Sequence, residues 1–132
     1  MAEPLVSSCL IADDNAFDLK AARRAVTKLW PDARIHEATN VEEAIKLLLE
    51  EKLDLALLDN DLSDGTSIQT IPEMLGLVSM SVPPLIMISG NADPCLPDAA
   101  SKSGFAGFIS KHGFDASQLS KIVSAKQPDG PA

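Results

Sequence analysis

Leu55-Ala56-Leu57-Leu58-Asp59 is a short apolar run closed by a carboxylate, and three other stretches share its form. Leu10-Ile11-Ala12 ends in the acidic pair Asp13-Asp14, Leu85-Ile86-Met87-Ile88 ends in Ser89, and Lys111 follows Phe108-Ile109. Continuous apolar runs of this length are the mark of parallel strands buried on both faces. In an open α/β sheet, ligands bind outside the carboxyl ends of such strands. Three carboxylates, one hydroxyl and one amine therefore converge on one edge. That donor set suits a metal-assisted phosphoryl site.

Outward from that stretch, strands and helices alternate. Strands are expected at Val6–Ala12, Ala33–Ala38, Leu53–Leu58, Pro84–Ile88 and Gly107–Ile109. Asn15 is a natural N-cap for a helix to about Trp30, stopped by Pro31, with Phe17, Ala21, Ala25 and Leu29 on one face. Asn40 and Glu43 have the spacing of a capping box, followed by the stripe Val41, Ala44, Ile45, Leu48 and Leu49 to about Glu50. A polar loop, Asp59–Gly65, leads to a third helix over Thr66 to Val78, weakened by Pro72. Pro94 and Pro97 leave only about Asp98–Ser103 for a fourth helix, although Pro97 is acceptable at a first turn, and Asp115 or Ser117 starts a fifth through about Val123. The expected fold is α/β: a doubly wound, five-stranded parallel sheet covered on both faces. One domain spans residues 1–132, with a core of about 5–123 and a flexible tail over 124–132 carrying Pro128, Gly130 and Pro131.

Composition narrows the function. A hydrophobic fraction of 45% and a charged fraction of 23% are those of a globular domain. A formal net charge of −8 argues against nucleic acid and against anionic membrane as partners. No apolar stretch approaches the length of a membrane span, and no signal peptide is apparent. Cys9 and Cys95 have no zinc-type spacing and suggest no disulfide framework, so a reducing cytoplasm is the expected setting.

The chemistry follows from the residue types. Asp13, Asp14 and Asp59 offer hard oxygen ligands with open positions, which suits Mg²⁺. Asp59 can act as a nucleophile, since carboxylates form acyl phosphates. The metal and Lys111 neutralise charge on the transferred phosphoryl group, and Ser89 donates a hydrogen bond to it. Each residue alone has a blander reading: a solvated acidic pair, a strand-end hydroxyl, a surface lysine. Their order and shared placement carry the case.

In that order, Asp13-Asp14, Asp59, Ser89 and Lys111 resemble the response-regulator receiver domain of two-component signalling, a flavodoxin-like (CheY-like) three-layer sandwich. Ile11-Ala12-Asp13-Asp14-Asn15, Leu57-Leu58-Asp59-Asn60-Asp61-Leu62-Ser63-Asp64-Gly65 and Phe108-Ile109-Ser110-Lys111 agree with it, and the likeness covers Leu5 to Val123. The resemblance implies phosphorylation of Asp59 by a sensor histidine kinase or a histidine phosphotransfer protein. It implies Mg²⁺ held by Asp14, Asp59 and the backbone carbonyl of Asp61, with Asp13 helping through water. It also implies Ser89 and Phe108 as a switch pair, the ring moving inward as the hydroxyl moves toward phosphate. Ser89 replaces the commoner Thr, and Phe108 lacks the hydroxyl of the more familiar Tyr. The expected protein is a stand-alone receiver whose downstream partner the sequence does not name.

Three positions depart from the family pattern. Ser63 stands where Pro is frequent, loosening the loop after Asp59. His112 stands where Pro usually follows the lysine, commonly through a cis peptide. A cis bond before a non-proline residue costs about 3–4 kcal/mol, so Lys111–His112 is either strained or trans. The segment Pro94–Pro97 shortens the start of the fourth helix, part of the usual signalling face.

Two alternatives compete. Leu57-Leu58-Asp59-Asn60-Asp61 also resembles the first motif of haloacid-dehalogenase-type phosphatases, in which Asp61 would serve as acid/base. Here, however, an acidic pair precedes the nucleophile and little chain follows Lys111. The other alternative is a receiver-like protein-binding module that never uses phosphate.

Overall fold

In the computed structural model, which describes residues 6–76, 83–90 and 93–126, the apolar runs pair side by side. Strands β1 (Ser8–Ala12), β2 (Arg34–Ala38), β3 (Leu55–Asp59), β4 (Leu85–Ser89) and β5 (Gly107–Ser110) form one parallel sheet. Their order is β2-β1-β3-β4-β5, so the winding reverses between β1 and β3. Among the described residues, five helices cover the sheet: α1 (Ala16–Leu29), α2 (Val41–Glu50), α3 (Ser67–Gly76), α4 (Leu96–Lys102) and α5 (Ala116–Lys126). This is the doubly wound, flavodoxin-like three-layer arrangement, with its ligand crevice expected where the order reverses.

Side-chain alternation along the strands divides the core in two. Leu10, Ala12, Ala56, Leu58, Leu85 and Met87 meet Val41, Ala44 and Leu48 of α2, Ile71 of α3, and Leu96 and Ala100 of α4. Cys9, Ile11, Leu55, Leu57, Ile86, Ile88 and Ile109 meet Ala22, Ala25 and Val26 of α1, and Leu119 and Val123 of α5. Burial pushes the Cys9 thiol up to about 12, reinforced by the charge of Asp54. It is an inert core thiol, whereas Cys95 is exposed.

Local chemistry sets the helix starts. The Asn15 side chain accepts from the N–H groups of Phe17 and Asp18 at 2.9 and 3.0 Å. Asn40 Oδ1 accepts from Glu43 N–H at 2.7 Å, but Glu43 reaches back to Thr39 N–H rather than to Asn40. The expected capping box is thus displaced by one residue. On α1 the expected stripe is wrong at its first member, Phe17, which is 81% exposed; of its members Ala25 is buried, together with Ala22 and Val26 outside it. Helix α4 starts at Leu96, two residues before the expected Asp98, because Pro97 fits the first turn, where its missing N–H is no loss. Helix α5 continues through Lys126, and the rest of the expected tail lies outside the described residues. So does Val78, the expected end of α3.

One glycine is required by packing. A Cβ on Gly107 would lie 2.7 Å from Ile122 Cγ2 and 3.1 Å from Ile86 Cδ1, so β5 reaches α5 only without a side chain there. Gly107→Ala is expected to cost about 1–3 kcal/mol through overpacking, read as a lower urea midpoint at unchanged m-value.

Candidate functional site

The carboxyl ends of β1, β3, β4 and β5 bring the expected residues to one edge, on two sides of the sheet. Asp13, Asp59 and Lys111 continue the alternation of Ile11, Leu57 and Ile109, and so emerge on the α1/α5 side. Ser89 continues that of Met87 and is fully buried. Phe108, paired in register with Met87, is partly buried against the other core half.

Asp13 and Asp59 are the two buried acids among the described residues, at 5% and 6% exposure, while Asp14 beside them is exposed. Asp13 Oδ1 accepts from Asn15 N–H at 2.9 Å, which fixes its carboxylate over the start of α1. Asp59 Oδ1 accepts from Asp61 N–H at 3.3 Å, and the Asp59 carbonyl accepts from the Ser67 hydroxyl at 2.6 Å. The Asp61 side chain itself is exposed. Carboxylate oxygens of Asp13, Asp14 and Asp59 lie within 4.8 Å of one another, an all-oxygen set that fits a hard divalent cation. A hollow of about 150 Å³, lined in part by Phe17, Leu57, Ile88 and Phe114, adjoins Asp59 and Lys111.

The Lys111 ammonium sits in this acidic edge, 2.9 Å from Asp13 Oδ2, 3.1 Å from Asp59 Oδ2 and 2.8 Å from Asp18 Oδ2. Burial alone would lower its pKa. Its hydrogen bonds to Asp18 and Asp13 and the charge of Asp59 outweigh burial and raise it, so the lysine stays charged. The Asp59 carboxyl is also pushed up, to about 6, because burial and the charge of Asp13 outweigh the offset from Lys111, and for a carboxylate this disfavours the charged form.

This shift has a consequence for pH. With Asp59 at about 6, the folded metal-free protein binds more protons than the unfolded chain between the ordinary carboxylate range and pH 6. The Asp59 contribution to stability is therefore present at the acid end of that window and lost as pH rises through 6. A cation requires the ionised form, so its affinity should fall as pH drops below about 6, with protons released on binding. Calorimetric titration with Mg²⁺ in two buffers of different ionisation enthalpy reads both effects.

The response regulator receiver domain family matches residues 9–124. The chain belongs to that family. Solved structures agree on the receiver fold. A receiver domain (CheY-like) of Methanospirillum hungatei is 20% identical, with a TM-score of 0.76 over 93% of this chain and 94% of that one. A response regulator of Burkholderia pseudomallei, described with a phosphorylated aspartic acid, calcium ion and citrate, is 20% identical with a TM-score of 0.75. The alignment covers 89% of this chain and 66% of that longer one. The Saccharomyces cerevisiae Ssk1 receiver domain, solved with the histidine phosphotransfer protein Ypd1, is 18% identical with a TM-score of 0.76, covering 93% of this chain and 89% of that one. Comparison with curated proteins found no match. No helix among the described residues is long and apolar enough to cross a membrane.

Around the receiver site, the two open questions of loop and peptide geometry have direct answers. The loop after Asp59 lacks the usual proline at Ser63 but is held by side chains. Asp61–Leu62 pairs antiparallel with Gly65–Thr66, and Asn60 Oδ1 accepts from Ile68 N–H at 3.0 Å. Asp64 accepts from Val41 and Glu42 N–H at 2.7 and 3.1 Å, tying the loop to the start of α2. These backbone donors hold its carboxyl below the usual range. Lys111–His112 is trans, as are all described peptides. The chain turns there as a 3₁₀ turn, Lys111–Gly113, with Ser110 as N-cap, its Oγ accepting from His112 N–H at 3.2 Å. His112 is exposed.

Sequence reasoning missed Asp18, Ser67 and Asp64. Asp18 lies three residues after an N-cap, where an acid reads simply as a complement to the helix dipole. Its spacing of five from Asp13 gives no signal without the fold. Asp64 and Ser67 act through backbone groups distant in sequence, which no local pattern reveals.

Proposed function

We propose that this receiver is a phosphorylation-controlled switch in which Asp59 accepts a phosphoryl group from a sensor histidine kinase or a histidine phosphotransfer protein. One observation carries the reading: a buried carboxylate at the topological switch point, within reach of a permanently charged ammonium and two further carboxylates. An Asp59 oxygen attacks the phosphorus, the P–N bond to the donor histidine breaks, and that histidine takes up a proton. Lys111 stabilises the negative oxygens of the transferred group and keeps its charge throughout. In this reading Asp14, Asp59 and the Asp61 backbone carbonyl would hold Mg²⁺, with Asp13 contributing through water. Bound there, the ion would supply charge neutralisation of the phosphoryl oxygens.

Ser89 is assigned the hydroxyl contact to phosphate, and Phe108, half-buried beside Met87, the answering movement. A phosphoryl group that Ser89 and Lys111 contact in one state alone biases the equilibrium between two packings. The phosphorylated receiver delivers its output as altered partner binding. Its setting in this reading is the cytoplasm, in keeping with two free cysteines. The phosphatase alternative gains nothing from the geometry: the Asp61 carboxylate is exposed, and it is the Asp61 N–H that meets Asp59.

Intact mass after incubation with acetyl phosphate tests the reading. A single phosphoryl adduct that requires Mg²⁺ supports it. Absence of an adduct, together with no response to beryllofluoride, contradicts it and favours a phosphate-independent module.

A further inference from the structure

A lysine ammonium has three N–H donors, and Lys111 has three carboxylate partners. Asp59 is the expected phosphoacceptor and Asp13 belongs to the cation set, so both are committed elsewhere once the site is charged. Asp18 is the exception. It is outside the three-carboxylate cation cluster and yet makes the shortest of the three contacts, 2.8 Å. Its own position is fixed, because its backbone N–H is bound to Asn15 Oδ1 at 3.0 Å in the first turn of α1. A negative charge is favoured there by the helix dipole. Lys111, by contrast, begins a three-residue 3₁₀ turn and carries a long, flexible side chain. Its head is therefore located by side-chain contacts more than by its backbone.

We propose that Asp18 is a positioning residue that anchors the Lys111 ammonium from α1, leaving one donor aimed at Asp59 and at the phosphoryl group formed there. The inference rests on the phosphoacceptor reading of Asp59. When Asp59 becomes an acyl phosphate and its carboxylate loses its charge, the donor it held passes to a phosphoryl oxygen, while Asp18 keeps the ammonium from swinging into solvent. Asp18 touches neither the phosphoryl group nor the cation in this scheme. It acts only through the lysine.

The test uses the full chain with Mg²⁺ and beryllofluoride as the phosphoryl mimic, followed by amide chemical shifts. Asp18→Asn should weaken beryllofluoride binding about tenfold, the scale of one misplaced charged hydrogen bond. Mg²⁺ affinity measured without fluoride should change far less. Asp18→Glu should recover part of the loss, since a longer carboxylate still reaches the ammonium. In a Lys111→Ala background, Asp18→Asn should have no further effect. Equal losses with and without Lys111, or unchanged or tighter beryllofluoride binding by Asp18→Asn, would overturn the proposal. If the native chain with Mg²⁺ binds no beryllofluoride, the phosphoacceptor reading fails first. If the native chain binds it and Asp18→Asn binds equally well, only the role of Asp18 fails.

Discussion

Asp59→Asn is expected to abolish the phosphoryl adduct and, in the metal-free state at neutral pH, to raise the melting temperature. The two effects have one origin. Asp59 is held ionised at neutral pH against burial and against the charge of Asp13, with Lys111 offsetting only part of the cost. The amide removes that repulsion while keeping the shape, and Lys111 retains Asp13 and Asp18 as partners. The nucleophilic oxygen and one cation ligand are lost together. Mg²⁺ affinity should fall at least about 100-fold, the upper end of what the loss of an outer-shell partner alone costs. Mg²⁺ should therefore raise the melting temperature of the native chain and not that of the variant. Differential scanning fluorimetry across a Mg²⁺ series reads both. A variant less stable than native without metal would contradict the account of Asp59.

Lys111→Ala should have the second largest effect and a distinctive signature: slower phosphorylation with tighter metal binding. Removing a preorganised charged donor from a developing anion costs about 100-fold in rate. Removing a positive charge beside Asp13 and Asp59 leaves those carboxylates to the cation alone. Without metal, the variant should lose about 2 kcal/mol of stability. That is less than the 3–5 kcal/mol of breaking a fully buried pair, because the lysine is 21% exposed and Asp59 can take up a proton. Adding Mg²⁺ should restore more stability to this variant than to the native chain. Phosphorylation rate by intact mass and Mg²⁺ affinity by calorimetry must move in opposite senses. A variant impaired in both would mean that Lys111 organises the cation site rather than the phosphoryl group.

The architecture was legible because burial on both faces leaves so plain a trace. Leu55–Leu58 and Leu85–Ile88 are apolar without interruption, and each delivers a polar residue to the same edge. Strand-end placement alone therefore brings Asp13, Asp59, Ser89 and Lys111 to one edge. Periodicity was less reliable at the helix ends. Phe17 fits the stripe of α1 by spacing, but in the first turn of the helix its side chain is 81% exposed at the mouth of the hollow beside Asp59. At α4 the helix begins two residues earlier than the proline pair suggests, since Pro97 occupies a first-turn position where its ring does no harm. What spacing could not convey was the set of contacts between distant segments: Asp18 on Lys111, Asp64 on α2, Ser67 on the Asp59 carbonyl. These depend on which elements become neighbours, and a sheet order of β2-β1-β3-β4-β5 is not written in any local window.

Chemical mapping of the phosphoryl site tests the central claim most directly. Acetyl phosphate and Mg²⁺ are added to the full chain, the product is reduced with borohydride, and peptides are sequenced by mass spectrometry. An acyl phosphate on a carboxylate is reduced to the alcohol, so the account predicts homoserine at position 59 and at no other aspartate. Conversion at Asp13, Asp14 or Asp61, or a phosphoryl group retained on His112 with Asp59 intact, would contradict it.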